Sequence, residues 1–109
     1  MVNKDVSWKE YEGLISEIEK YWLDKNARVT RNAELKDVHT GQSREIDVLI
    51  ETHVGSSDIK VGIECRKRKC KQDVKWIEEL HGKQSSCGLS KVIAVSVAGF
   101  TKPVWSTYP

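Results

Sequence analysis

The sequence predicts an α/β domain, and three observations carry that prediction. Residues 44–51 and 61–66 alternate apolar and polar side chains with β-branched residues, which is strand periodicity. Residues 8–25 and 73–87 repeat their apolar side chains at spacings of three and four, which is helix periodicity. Residues 91–97 form a short continuous apolar run, the pattern of a buried strand. At 109 residues the chain is expected to be a single domain, 1–109, with a modest core. Residues 1–6 and 102–109 are expected to be irregular, the latter because of Pro103 and Pro109.

Ser7-Trp8-Lys9-Glu10 reads as a capping box, in which hydroxyl and carboxylate satisfy opposite orphan amides. The helix it opens runs to about Lys25. Trp8, Tyr11, Leu14, Ile15, Ile18, Tyr21 and Trp22 form one broad apolar stripe. Glu12 lies at the edge of that stripe, about 100° around from Tyr11. Glu19 lies on nearly the same side, and by periodicity either is an ordinary solvated glutamate. Ala27–Lys36 reads as a first strand followed by a polar connection. Its Arg28, Arg31 and Lys36 are either solubilising or contacts to a nucleic-acid backbone. Residues 37–43 form a turn, with His39 read as a loop histidine.

In the next segment Ile46, Val48 and Ile50 fall on one face and Glu45, Asp47, Leu49 and Glu51 on the other. Val61, Ile63 and Cys65 alternate with Gly62, Glu64 and Arg66. Gly55-Ser56-Ser57-Asp58 between them is a turn signal, so the two strands form a hairpin. A hairpin centred between Gly55 and Ser56 places Asp47 opposite Glu64, with Cβ atoms about 5 Å apart. Two carboxylates that close repel unless a cation joins them. Magnesium takes one or two carboxylates and completes its shell with water and phosphate oxygens. Arg66 follows on the same face, and with Lys67, Arg68, Lys69 and Lys71 makes a local basic cluster.

Asp73 is the expected N-cap of a second helix and Gly88 its C-terminal stop. Val74, Ile77, Leu80 and Trp76 make the buried stripe, with Lys75, Lys83 and Gln84 away from it or at its edge. His81 reads as packing or surface. The net charge of +2 does not by itself require a polyanionic partner, so the case for one rests on the local cluster. No apolar run approaches the roughly 18–20 residues of a membrane span, and no signal peptide opens the chain. Three cysteines, Cys65, Cys70 and Cys87, without a CxxC pair, point to a reduced, cytoplasmic protein without zinc.

Asp47 followed by Glu64-Cys65-Arg66 on the next strand resembles the PD-(D/E)xK nuclease core of restriction endonucleases. The text is most similar to the Mrr-type branch and the related archaeal Holliday-junction resolvases. YEGLISEI, REIDVLIE, IECRKRK, DVKWIEELHGK and LSKVIAVSVAGFT occur in the family's order over residues 8–101. The resemblance implies a restriction-endonuclease-like core, a mixed central β-sheet flanked by helices. It implies magnesium, with manganese a possible substitute, held by Asp47, Glu64 and the Cys65 carbonyl, with Glu12 binding directly or through water. It implies a DNA substrate, with Arg44, Lys67, Arg68, Lys69, Lys71, Lys75, Lys83 and Gln84 as candidate contacts.

The chain departs from the family pattern twice. Arg66 stands where the family has lysine. A guanidinium can steady a phosphate but not readily act as a base. Lys67 points to the opposite face, and a lysine from the next helix, such as Lys75, is a possible substitute. The chain also stops at TKPVWSTYP, apparently shortened, where the family continues; homodimerisation is one way to cover the strand edge left behind. Three readings follow. One is a metal-dependent DNA endonuclease of the restriction or junction-resolving type, with Glu12, Asp47, Glu64 and Arg66 catalytic. Another is a degenerate module that binds nucleic acid or a protein partner without cleavage. The last is an unrelated α/β module whose charged residues are a solvated face.

Overall fold

A computed structural model describes residues 8–23 and 26–107, with side chains from residue 13 onward. Helix α1 spans Trp8–Leu23. Strands β1 (Arg28–Lys36), β2 (Ser43–Val54) and β3 (Ser57–Arg66) follow in sequence. Then come α2 (Val74–Cys87), β4 (Lys91–Ser96) and α3 (Lys102–Thr107). The sheet order is β1-β2-β3-β4, antiparallel except for β4, which runs parallel to β3. Parallel neighbours need a long crossover, and α2 supplies it. The result is the expected mixed sheet flanked by helices. None of the described helices is long and apolar enough to cross a membrane.

The hairpin has the expected register. Val48↔Ile63 through Val54↔Ser57 all pair as a turn centred between Gly55 and Ser56 requires. Gly55 adopts φ 63°, the positive value a two-residue turn wants at its first central position.

Two layers cover the sheet. On the α1 side, Ile15 packs with Ala27, Val48, Ile50, Val61 and Ile63, joined by Ile18 and Trp22. Leu14 and Tyr21, expected in the same stripe, are exposed, because the seam against the sheet is the narrower row 15, 18 and 22. The capping box falls on Ser7 and Glu10, outside the described side chains. On the other side, Trp76, Ile77 and Leu80 of α2 pack with Val104.

The alternation does not run through the whole of β2. Ile46 packs with Ala33, Leu49, Cys87 and Leu89 on the α2 side, while Val48 and Ile50 pack on the α1 side. The expected grouping of Ile46 with Val48 and Ile50, and of Leu49 with the polar residues, is corrected. The cause lies in the neighbouring strand. Asn32 adopts φ 50°, and the β1–β2 pairing skips it, passing from Arg31↔Val48 to Ala33↔Ile46. Asparagine tolerates this left-handed conformation better than most residues. The register is the same on either side of Asn32, so the side chains of both strands change face together there: Val29, Val48 and Ile50 lie on one side, Ala33, Leu35 and Ile46 on the other. Asp47 is the β2 residue opposite the skipped position.

Asp73 caps α2, its carboxylate accepting the Val74 N–H at 2.8 Å, and Gly88 ends it at φ 69°. Residues 102–107, expected to be irregular, are helical instead. Pro103 is the second residue of α3, where its missing N–H costs no helical hydrogen bond. The helix is tied down at its start, where the Thr101 hydroxyl donates to Asp73 at 2.7 Å and the Thr101 N–H donates to the Gln72 carbonyl. Strand β1 continues to Lys36 where a polar connection was expected, because Leu35 and Ala33 still have the α2-side core to pack against.

Candidate active site

The β2–β3 ladder stops at Val48↔Ile63. Beyond it, side chains take the place of main-chain partners. The Asp47 N–H donates to Glu64 Oε1 at 3.3 Å, and the Cys65 N–H donates to Asp47 Oδ2 at 2.8 Å. Each carboxylate thus accepts a backbone N–H from the opposite strand. Glu64 is buried, and a buried carboxylate is costly unless paired. Its partner comes from α2. Lys83 Nζ bonds both Glu64 Oε2 and the Glu45 carbonyl oxygen. The Lys83 and Glu64 side chains are only 15% and 10% exposed, so bulk solvent screens the pair weakly.

Arg66 lies beside this pair, held by α2 and the loop before it. Its Nη1 donates to Gln72 Oε1 at 2.9 Å, its Cζ lies 4.8 Å from the centroid of the Trp76 ring, and its Nη2 is 3.9 Å from a Glu79 oxygen. Glu64, Arg66, Trp76, Lys83 and Arg44 line one cleft of about 220 Å³.

The structure brings together Asp47, Glu64, Cys65 and Arg66, and it places Lys83, expected as a nucleic-acid contact, on Glu64. Lys75, suggested as a replacement lysine, is exposed and does not line the cleft. Helix geometry explains the difference. Trp76, Glu79, Leu80 and Lys83 share one face at spacings of three and four, whereas Lys75 lies about 12 Å before Lys83 along the helix axis. That spacing was legible in the sequence. The holders of Arg66, namely Gln72, Trp76 and Glu79, carried no such signal, since their meeting depends on how α2 seats against the sheet. The backbone of Glu12 lies in α1, but its side chain is outside the described residues. The Glu19 carboxylate forms an ion pair with Arg31 at 3.1 Å.

Arg44 pairs with Asp37 at 3.2 Å at the mouth of the 37–43 turn. The His39 N–H holds the Asp37 carboxyl below its usual range, burial opposes this, and the Thr40 N–H and Arg44 add to the lowering. Lys67, Arg68, Lys69 and Lys71 are exposed on the loop leaving β3. Gln84 is half-buried, its amide donating to the Ser90 carbonyl at 3.2 Å. His39 is exposed on its turn.

Among the described residues, no three His, Cys, Asp or Glu side chains converge on one point. The residues expected to hold a metal, Asp47, Glu64 and the Cys65 carbonyl, would offer only hard oxygens. That set fits magnesium, which needs few protein ligands, better than zinc, which prefers imidazole and thiolate.

A comparison with curated proteins gave no match. Among solved structures, the chain is similar to a crystal structure described as a protein of unknown function, AF1548. The TM-score is 0.63 at 12% identity, over 84% of this chain and 49% of that one. At that identity the likeness concerns the fold, and this chain spans about half the length of its neighbour. A restriction endonuclease family profile of the Mrr catalytic type matches residues 4–108, nearly the whole sequence. The chain belongs to the Mrr-type restriction endonuclease family.

Proposed function

We propose that this protein is a metal-dependent DNA endonuclease working at the open end of the β2–β3 hairpin. The observation that carries the reading is the exchange of backbone hydrogen bonds by Asp47 and Glu64 where the strands part. Two carboxylates are fixed side by side there, a short way along the chain from the basic loop 67–71. Asp47, Glu64 and the Cys65 carbonyl would hold a magnesium or manganese ion, with Glu12 a further candidate from α1. When bound, such an ion supplies charge neutralisation at the phosphoryl oxygens and activation of the attacking water.

The chain's own residues do the rest. Lys67, Arg68, Lys69 and Lys71 offer ammonium and guanidinium heads to the DNA backbone, with Arg44 nearer the cleft and Lys75 further along α2. Binding of this kind weakens steeply as salt rises. Arg66 takes the motif lysine's position but is committed to Gln72, Trp76 and Glu79. That commitment favours a second reading, a module that binds DNA without cutting it.

Plasmid nicking with magnesium or manganese at low salt separates the two. Cleavage by the wild type that disappears in both Asp47→Ala and Glu64→Ala supports the endonuclease. Salt-sensitive DNA binding without cleavage, in wild type and Arg66→Lys alike, supports the binding module. Absence of any DNA binding at low salt excludes both.

A further inference from the structure

The geometry points to Lys83 as the resident cation of the Asp47–Glu64 site, displaced from Glu64 when a divalent ion enters and then available to a phosphoryl oxygen of the substrate. This rests on the nuclease reading above for its last step only. Four observations carry it. Lys83 Nζ bonds Glu64 Oε2, an oxygen that a metal would need. Its second bond, to the Glu45 carbonyl, holds it at the mouth of the parting strands rather than out in solvent. Both side chains of the pair are largely shielded, so the ammonium balances charge that bulk ions balance poorly. The other cations lining the cleft are already engaged, Arg66 by Gln72, Trp76 and Glu79, and Arg44 by Asp37. An ammonium head on a flexible four-carbon stem can change partners, whereas a stacked guanidinium with a fixed fork does so less readily.

A divalent ion and the Lys83 ammonium on one shielded carboxylate repel each other, so each weakens the other's binding, and the antagonism is reciprocal. Once released, the ammonium remains within the cleft that Arg66 and Arg44 also line, where an incoming phosphate supplies the negative charge it has lost. Lys83 thus does from a helix what the strand position 66 does not do.

The test is calorimetric titration of manganese chloride into wild type, Lys83→Met, Lys83→Arg and Glu64→Gln, with plasmid cleavage measured on the same preparations. Removing the competitor should tighten manganese binding about tenfold in Lys83→Met. Lys83→Arg, which keeps the charge, should stay within about threefold of wild type. Glu64→Gln should weaken binding at least tenfold. Cleavage by Lys83→Met at saturating metal should fall at least 100-fold, with part of it restored by Lys83→Arg. Manganese affinity that is unchanged or weaker in Lys83→Met overturns the proposal, as does undiminished cleavage by that variant. Should Lys83→Met not fold, the wild type decides the matter. The Nζ resonance of Lys83 in lysine-labelled protein must move when magnesium alone is added, and an unmoved resonance overturns the exchange. A wild type that binds manganese but cuts nothing defeats the endonuclease reading, while the titration and the resonance still judge Lys83.

Discussion

The two ends of the β2–β3 hairpin are built on opposite terms. At the turn end, Val54↔Ser57 and its neighbours are joined by an unbroken antiparallel ladder, and the side chains there are mostly exposed. At the open end the ladder stops, and Asp47 and Glu64 supply the missing acceptors with their carboxylates. A strand end closed by backbone needs only turn chemistry. A strand end closed by carboxylates needs a cation, and Lys83 meets that need from another element. The lesson is that the same interruption of the sheet both creates the acidic pair and makes it depend on tertiary contacts.

Breaking the open end should have the largest effect. Glu64→Ala is expected to remove DNA cleavage, a fall of at least 100-fold in plasmid nicking, worth roughly 2.7 kcal/mol or more of barrier. Asp47→Ala should do the same, and by leaving the Cys65 N–H without its acceptor it should also cost about 1–3 kcal/mol of stability in urea denaturation. Intact cleavage in either variant would mean that the acidic pair is only a strand-end repair.

A filled seam comes next. A side chain at Gly62 meets Leu89 Cδ1 at 3.0 Å and Ile46 Cγ2 at 3.3 Å. Gly62→Val should therefore cost about 1–3 kcal/mol by overpacking, read as a lower denaturation midpoint. Gly62 sits between the two ends, so its loss should disturb the α2-side core that carries Lys83.

The face change at Asn32 gives a smaller and more discriminating pair. Asn32→Gly should be close to neutral, while Asn32→Val should destabilise by about 1–2 kcal/mol because a β-branched residue resists positive φ. Equal stability of the two variants would show that the left-handed residue is not what turns the strand. At the turn end, Gly55→Ala should cost about 1 kcal/mol for the same reason and leave cleavage unchanged.

The smallest expected effect is on acid stability. Asp37 is held below the ordinary value of 3.8, first by the His39 N–H, and Asp73 is lowered first by the Thr101 hydroxyl and then by the Val74 N–H. A carboxyl lowered in the folded state stabilises fully above its unfolded value. That contribution is lost as the pH falls from about 3.8 through the folded value. Asp37→Asn with Asp73→Asn should flatten the stability–pH curve in that acid range while leaving the pH 7 fold intact. An unchanged slope below about pH 4 would mean that neither carboxyl is linked to folding.

Much of the site was legible in the sequence. The period-two text on either side of Gly55-Ser56 placed Asp47 opposite Glu64, and the register is the observed one. It was legible because a two-residue turn and a strand pleat are local, and together they leave no freedom in the pairing. Asp73 and Gly88 marked the ends of α2 for the same local reason. The face of Ile46 was not legible, because it depends on a positive φ at Asn32 in a different strand. Nor was the helix that contains Pro103, which is held in place by Thr101, Asp73 and the core around Val104 rather than by its own propensity.

The sequence by itself determined the hairpin, its register and the two capped ends of α2, since each follows from residues a few positions apart. The tertiary structure alone decided that Lys83 bonds both Glu64 and the Glu45 carbonyl, that Arg66 is spent on Gln72, Trp76 and Glu79, and that the strands part at Asp47. Those outcomes depend on how helix and sheet seat against each other, where buried charge must find a partner whatever its distance along the chain.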